Sequence, residues 1–296
     1  MIAEEQVERR EANAELRNAI DCLRARLDGE IREMLRSLVA EEAVNRRRLF
    51  ELRGHPDYDL PFVESDPLVS VCVPARADRI GLLVERAIPS ALAQTYANVE
   101  VVVVGDAAGS ETRTAIESLG DDRIRYSDLT HRVVHPDPHR HWLTGAIMPR
   151  NEAHRLAQGR WIADLDDDDA LRPDAVEHLL EFARSERVEV AYGIVEMIEP
   201  DGRRSTIGGF PPAPLEPDWR ERGLGWQPWR GSASTGAIFH TGLRLFGREH
   251  VAAVLGIPGD FFRLERMVRA GVRFGMLERI TYDYYPSTLW DVRPPH

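Results

Sequence analysis

The sequence lacks long apolar runs, clustered cysteines and long basic stretches. No apolar run approaches the roughly 18 residues of a membrane span, so we expect no integral membrane segment. Cys22 and Cys72, the two cysteines, lie far apart without metal-site spacing, which favours free thiols in a reducing compartment. A net charge of −11 without a long Lys/Arg run argues against a dedicated nucleic-acid binder. The opening residues have no apolar core and do not look like a secretory signal, so we expect a cytoplasmic protein.

Residues 1–54 differ in composition from the rest of the chain. They contain no proline, and their apolar residues recur at steps of three and four, which predicts a helical extension. The stripe consists of Leu16, Ile20, Leu23, Leu27, Ile31, Met34 and Leu38. Such a stripe packs either on the protein's own body or against a second copy, so both a packing surface and a homodimer through these helices stay open. Residues 55–67 contain three prolines and predict a linker.

From residue 68 onward, strand-like and helix-like segments alternate. "LVSVCV", "VEVVVV" and "RWIADL" are continuous apolar runs of the kind that form strands buried on both faces, and amphipathic helical segments separate them. This pattern predicts an α/β fold, with a mostly parallel central sheet covered by helices. Further along, "EPDG" between two strand-like runs predicts a β-hairpin.

Three of the predicted strands end in polar residues. "PARADR" follows the first strand, "GDAAGS" the second, and the aspartate run Asp166–Asp169 a later one. In parallel sheets, ligands bind at the carboxyl ends of the strands. The sequence therefore predicts a binding site where these three segments meet.

Four consecutive aspartates repel one another, and a solvated acidic loop is the simplest interpretation. A calcium loop of the EF-hand kind starting at Asp164 does not fit, because it would need glycine at Asp169 and glutamate at Ala175. An Asp-x-Asp pair, Asp166 and Asp168, would bind a divalent cation that also holds a substrate's phosphates. Mn²⁺ or Mg²⁺ typically takes one or two carboxylates together with phosphate oxygens. We expect Asp169 to cap or brace the loop.

These motifs resemble a known family. "SALAQTY", "ANVEVVVV" and "LDDDD", in this order between residues 68 and 180, are similar to the motifs of inverting family 2 glycosyltransferases of the GT-A fold. The resemblance implies a GT-A domain over residues 68–296. Within it, residues 68–180 would bind the nucleotide sugar and residues 181–296 the acceptor.

The resemblance also implies roles for individual residues. Asp106 would bind the nucleotide base, with a helix cap or an Asx turn as the alternative. Arg150 would lie near the nucleotide or diphosphate, with a surface salt bridge as the alternative. Asp166 and Asp168 would bind the metal, and Asp166 or Asp167 the ribose. Asp260 would be the catalytic base, with a helix N-cap as the alternative, although Gly259 stands where the family usually has glutamate. Pro74, Ala75 and Arg76 would border the base.

The function implied is transfer of a sugar from a nucleotide-diphosphate donor, expected to be a UDP-sugar, with inversion at the anomeric carbon. The acceptor would be a small metabolite, a carrier-bound intermediate or a glycan. Two alternatives stay open: a nucleotidyltransferase acting on a sugar phosphate, and a non-catalytic helical interaction protein with a degenerate GT-A domain. A nucleotidyltransferase would normally carry a glycine-rich basic loop after the first strand, and "PARADRIG" is a poor match to such a loop.

Overall fold

The computed structural model describes residues 20, 23, 41–132, 141–208, 228–250, 252 and 258–286. The chain divides into two units, Met1–Arg47 and Arg48–His296. In the first unit, residues 41–47 are helical, and Ile20 and Leu23 are helical and exposed. The other members of the predicted N-terminal stripe lie outside the described residues, so the homodimer stays a prediction.

Nine strands within the described residues form one sheet in the second unit. They are β1 Val69–Ala75, β2 Val99–Gly105, β3 Ile124–Asp128, β4 Trp161–Asp164, β5 Ala170–Leu171, β6 Val190–Ile198, β7 Arg204–Ile207, β8 Ala237–His240 and β9 Phe274–Tyr284. Their order is β3-β2-β1-β4-β8-β6-β9-β5, and β7 pairs with β6. The predicted strands and the β6–β7 hairpin are therefore confirmed.

The sheet is largely parallel in the half that the motifs predict to bind a ligand. β1 pairs in parallel with β2 and with β4, and β2 pairs in parallel with β3. Every residue of β1, β2 and β4 is buried, which explains why these strands are mostly apolar without a regular alternation of apolar and polar residues. β3 lies at the edge of the sheet and is only partly buried.

Helices pack around this sheet. They are α1 Leu60–Val63, α2 Ile80–Leu82, α3 Ile88–Leu92, α4 Gly109–Glu117, α5 His141–Thr144, α6 Ile147–Leu156, α7 Ala175–Ser185, α8 Pro228–Thr235 and α9 Gly259–Ala270. A π-helical turn, Leu83–Ala87, joins α2 to α3 just before Pro89, whose missing N–H disturbs the regular helical pattern. None of the helices within the described residues is long and apolar enough to cross a membrane.

The segment predicted as a linker, residues 55–67, packs into the second unit. Pro56–Asp59 form a 3₁₀ turn that continues into α1, and Tyr58 and Phe62 are buried. The Phe62 ring meets the Trp161 ring edge to face at 5.4 Å, and Trp161 Nε1 donates to the Pro61 carbonyl at 2.9 Å. Pro56 and Pro61 therefore belong to helical turns on the core rather than to a spacer, and the unit boundary falls at residue 48 instead of 55.

A buried carboxylate, Glu189, ties this segment to the sheet. Arg53 donates to both of its oxygens at 2.8 Å, and the Tyr58 hydroxyl donates to Oε1 at 2.6 Å. The Arg273 backbone N–H adds a bond of 2.8 Å to Oε2. Burial opposes ionisation, but these donors outweigh it and lower the pKa of Glu189 below its ordinary value of 4.5.

We expect Glu189 to make stability depend on pH in the acid range. Because its folded pKa is lowered, its contribution is complete above about 4.5 and is lost as the pH falls through the folded pKa. Urea unfolding between pH 7 and pH 3.5 measures this loss. The Glu189→Gln variant should be less stable than the wild type at pH 7, and the gap should narrow toward pH 3.5. A gap that stayed constant with pH would contradict the prediction.

Candidate active site

The carboxyl ends of β1, β2 and β4 lie at the same edge of the sheet because the three strands are parallel neighbours. Arg76 follows β1, Asp106 follows β2, and the aspartate run follows β4 by one residue. The Asp106 backbone N–H donates to the Ala75 carbonyl at 2.8 Å, and the Arg76 N–H donates to Asp167 Oδ2 at 3.0 Å. The three predicted polar segments are therefore brought together.

Asp106 lines a small pocket beside the start of α6. The other residues of its wall are Thr144, Gly145, Ala146, Ile147, Met148, Pro149 and His250. Asp106 Oδ2 pairs with Arg132 Nε at 2.9 Å, and the side chain is 11% exposed. Two residues of this region, Ala107 and Ala146, have positive φ angles of 53° and 59°. Non-glycine residues rarely adopt this conformation, and strained backbone of this kind clusters at functional sites.

The alternative role of Asp106 as a helix cap is excluded. The cap of α4 comes from Asp128, which accepts from the Ala108 and Gly109 N–H groups at 2.9 Å. A Cβ on Gly105 would lie 2.2 Å from Asp128 Oδ1, so only glycine fits beside this cap. Asp106 is thus left to face the pocket, and its contact with a base stays a prediction.

Pro74 and Ala75 are the last residues of β1 and are buried, so they shape the site mainly through the backbone. The Arg76 guanidinium pairs with Asp78 at 2.6 Å and is about one third exposed. Its Nε also donates to Asp78 Oδ1 at 2.9 Å. A contact between these three residues and a base stays a prediction.

The repulsion within the aspartate run is offset by groups from elsewhere in the chain. Asp167 is buried, and its Oδ1 accepts from Arg79 Nη1 at 3.0 Å while Oδ2 accepts from the Arg76 N–H. Arg79 Nη1 also lies 2.7 Å from Asp168 Oδ2. Asp167 therefore braces the loop against the turn after β1, which was not expected from the sequence.

Asp168 is mostly buried and is held at two points. Its carboxylate pairs with Arg79, and its backbone carbonyl accepts from Arg86 Nη1 at 2.6 Å. Burial, reinforced by the neighbouring carboxylates of Asp166 and Asp167, raises the pKa of Asp168 to about 7. This carboxylate therefore lies where additional positive charge would stabilise its ionised form.

Asp169 braces the loop, as predicted. It is fully buried, its Oδ2 accepts from the Tyr282 hydroxyl at 3.0 Å, and its Oδ1 accepts from the Tyr285 N–H at 2.8 Å. Burial raises the pKa of Asp169 well above its ordinary value. The end of β9 thus forms the floor on which the aspartate loop lies.

Arg150 lies beneath the loop rather than on its surface. It is 1% exposed, its Nη1 donates to the carbonyls of Cys72 at 2.6 Å and Leu165 at 2.8 Å, and its Nη2 pairs with Asp166. The alternative of a surface salt bridge is excluded, and the predicted direct contact with a diphosphate does not match this burial. The guanidinium is held in place because it donates to a carbonyl in the middle of β1 and to the carbonyl just after β4 while it positions Asp166, whose side chain is 34% exposed.

A second buried charge cluster lies next to Arg150 and was not predicted from the sequence. Asp164, the last residue of β4, accepts from His154 Nε2 at 2.6 Å, and Arg248 and Arg263 approach its other oxygen at 3.2 and 3.5 Å. Burial would raise the pKa of Asp164, but His154 and the arginines lower it strongly. Its position at a strand end is the one sequence signal that it shares with the site residues.

Asp260 lies in the first turn of α9 and is partly buried. The N-cap of that helix is Pro258 and no side chain caps it, so the alternative role of Asp260 as N-cap is excluded. A Cβ on Gly259 would lie 2.9 Å from Ile147 Cδ1, so a larger residue at this position would have to displace the end of the Ile147 side chain in the pocket wall. The start of α9 therefore lies against the same wall that Asp106 lines.

The carboxylates of Asp166 and Asp168 are the candidate metal ligands at this edge of the sheet. Within the part of the chain that the structure describes, no three His, Cys, Asp or Glu side chains are grouped to hold a metal ion. Asp166 and Asp168 supply two carboxylates on one loop, which suits a hard cation that takes its remaining ligands from phosphates and water. The residues present therefore fit a cation that binds together with a phosphate-bearing substrate.

Comparisons with known proteins agree with this geometry. The family model described as "Glycosyl transferase family 2" matches residues 70–253. The succinoglycan biosynthesis protein ExoO of Rhizobium meliloti is 36% identical over 145 residues, which cover 48% of this chain and 37% of that protein. An Escherichia coli UDP-Glc:alpha-D-GlcNAc-diphosphoundecaprenol beta-1,3-glucosyltransferase, WfgD, is 32% identical over 146 residues, or 49% of this chain and 51% of that protein.

Among solved structures, S. aureus TarS in complex with UDP superposes with a TM-score of 0.52 at 19% identity. The match covers 76% of this chain and 62% of that one. This likeness confirms the predicted GT-A fold. The match spans 37% and 51% of the lengths of the two curated relatives.

Proposed function

The chain belongs to glycosyl transferase family 2, and we propose that it transfers a sugar from a UDP-sugar to a hydroxyl or amine acceptor with inversion at the anomeric carbon. One observation carries the proposal: Asp106 and the aspartate run lie at the same edge of the sheet, and the start of α9 packs against Ile147 in the pocket wall that Asp106 lines. The relative WfgD is named as a glucosyltransferase that uses UDP-Glc, and TarS was crystallised with UDP and with UDP-GlcNAc. The substrate in the name of WfgD and the ligands bound to TarS both support a UDP-sugar as the donor.

In this proposal Asp106 accepts from the uracil base in the pocket beside α6. Asp166 faces the ribose or the diphosphate, and Arg150 acts on the donor through Asp166, because its guanidinium is buried. Asp166 and Asp168 would hold Mn²⁺ or Mg²⁺, which when bound neutralises charge on the leaving diphosphate. Asp167 and Asp169 keep the loop in place.

Asp260 is the proposed base. A hydroxyl or amine is a weak nucleophile, and a carboxylate that accepts its proton during the attack raises its reactivity. The acceptor attacks the anomeric carbon from the face opposite the diphosphate, so the new bond has inverted configuration. A nucleotidyltransferase would bind phosphates with the backbone N–H groups of the turn after β1. The first N–H of this turn, that of Arg76, is already bonded to Asp167, so the turn does not favour this alternative.

We expect UDP together with Mn²⁺ to stabilise the protein more than either alone. A ligand at 100 times its Kd stabilises the folded state by about 2.7 kcal/mol. Thermal unfolding with UDP, GDP, ADP and TDP, each with and without Mn²⁺, measures the effect and its base specificity. If no nucleoside diphosphate raised the unfolding temperature under any condition, the proposed function would be wrong.

A donor screen extends this test to the chemistry. UDP released from UDP-glucose, UDP-GlcNAc and UDP-galactose in the presence of acceptor mixtures reports transfer, while pyrophosphate released from UTP and a sugar phosphate reports nucleotidyl transfer. Release of UDP alone supports the proposal. UDP binding with no release of either product from any donor would support the non-catalytic alternative.

A further inference from the structure

Arg79 connects the turn after β1 to two aspartates of the run. Its Nη1 lies 3.0 Å from Asp167 Oδ1 and 2.7 Å from Asp168 Oδ2, and its side chain is 18% exposed. One guanidinium nitrogen thus bridges two carboxylates that repel each other. The pairing offsets the cost of bringing the two negative charges together in a poorly solvated place.

The two carboxylates differ in how firmly they are held. Asp167 is fixed from both sides, by Arg79 and by the Arg76 N–H, and it is buried. Asp168 is anchored through its backbone by Arg86, while the one side-chain partner seen for its carboxylate within the described residues is Arg79. The Asp168 carboxylate can therefore exchange one positive partner for another without loosening the loop.

A divalent cation held by Asp168 would share this carboxylate with the Arg79 guanidinium, which already lies 2.7 Å from its Oδ2. The two positive charges would also repel each other, so the binding of either one disfavours the other. A nucleoside diphosphate changes this balance, because its phosphate oxygens are good partners for a guanidinium. Arg79 could then pair with the diphosphate while the cation takes Asp168.

We propose that Arg79 is a built-in counter-ion that competes with the divalent cation for Asp168 and moves to the diphosphate when the donor binds. The cation therefore binds weakly without nucleotide, and cation and nucleotide bind cooperatively. By linkage, each raises the affinity of the other by the same factor. This inference rests on the proposed function, since it takes a nucleoside diphosphate as the ligand.

Mn²⁺ binding to the full chain without nucleotide tests the competition directly. Electron paramagnetic resonance, which counts free Mn²⁺, gives the Kd for the wild type, Arg79→Gln and Arg79→Lys. We expect Arg79→Gln to bind Mn²⁺ at least about fivefold more tightly than the wild type, the lower end of common coupling factors. Arg79→Lys keeps the charge and should show a smaller gain. Arg155→Gln is the matched control, because Arg155 is exposed and pairs with Glu152 away from the site.

A second titration adds saturating UDP. The wild type should bind Mn²⁺ more tightly with UDP than without it, and Arg79→Gln should lose most of this gain. Equal or weaker Mn²⁺ binding by Arg79→Gln and Arg79→Lys without nucleotide, including no detectable binding, overturns the inference whatever UDP does. Tighter Mn²⁺ binding by Arg79→Gln with no UDP binding by any variant supports the competition and overturns the uridine donor.

Discussion

Replacing Asp260 by asparagine is expected to lower kcat by about 10²–10⁴-fold, the usual contribution of a positioned general base. Asparagine keeps the size of the side chain and removes its ability to accept the proton. Because Asp260 neither caps α9 nor lies in the aspartate loop, the Kd for UDP and the unfolding temperature should change little. Steady-state kinetics with the donor from the release screen gives kcat, and calorimetric titration gives the Kd.

Asp201→Asn provides the comparison for that experiment. Asp201 is an exposed aspartate in the β6–β7 turn, paired with Arg203, so its replacement makes the same chemical change away from the site. Turnover of this variant should match the wild type. Near-normal turnover of Asp260→Asn would remove Asp260 from the role of base, while a parallel loss of UDP affinity would indicate a binding role instead.

The second large effect concerns stability. Asp164→Asn is expected to lower the free energy of unfolding by about 3–5 kcal/mol, because it leaves buried arginines without their carboxylate. Burial lowers the pKa of His154 to about 4, so this neighbour is neutral at pH 7 and the uncompensated charge in the variant is that of the arginines. Arg248 Nε and Arg263 Nη2 already lack a hydrogen-bond partner among the described residues. Urea unfolding at pH 7 measures the loss.

Asp121→Asn is the matched variant for this measurement. Asp121 forms an ion pair with Arg123 at 2.7 Å, but both side chains are accessible to solvent, at 27% and 40% exposure. Exposed pairs contribute about 0–1 kcal/mol, so this variant should remain close to the wild type. If the free energy of unfolding fell no more in Asp164→Asn than in Asp121→Asn, groups other than Asp164 would have to balance the charges of Arg248 and Arg263.

Much of the sheet could be predicted because buried parallel strands have a clear signature. Strands such as β2, with four consecutive valines, are apolar on both faces, and the polar residues that follow them mark the carboxyl ends. Local turn chemistry likewise predicted the β6–β7 hairpin. These features depend on residues close together in the sequence.

What could not be predicted depends on contacts between distant residues. β8 inserts antiparallel between β4 and β6, a placement that no local pattern specifies. The partners of the aspartate run were missed for the same reason, since Arg79 is ordinary in sequence and meets Asp167 only through the folded sheet. Residues 55–67 were predicted as a linker from their prolines, although their aromatic residues fill the core beside Trp161.

The same dependence on distant residues applies to the predicted roles. Arg150 was predicted to lie near the nucleotide or diphosphate, but its burial against the Cys72 and Leu165 carbonyls follows from the three-dimensional packing of α6 against β1. Similarly, the close contact of Gly259 with Ile147 depends on the packing of α9 against α6 and could not be predicted from the sequence.

The attachment of Asp169 to Tyr282 and Tyr285 has a consequence for biosynthesis. These partners follow Asp169 by 113 and 116 residues, so the loop leaves the ribosome long before its floor exists. At about 5–20 residues per second, the interval is roughly 6–23 seconds. A nascent chain halted in that interval would contain the whole aspartate run but would lack the two tyrosines that hold Asp169. Donor binding should therefore begin only after β9 has been translated.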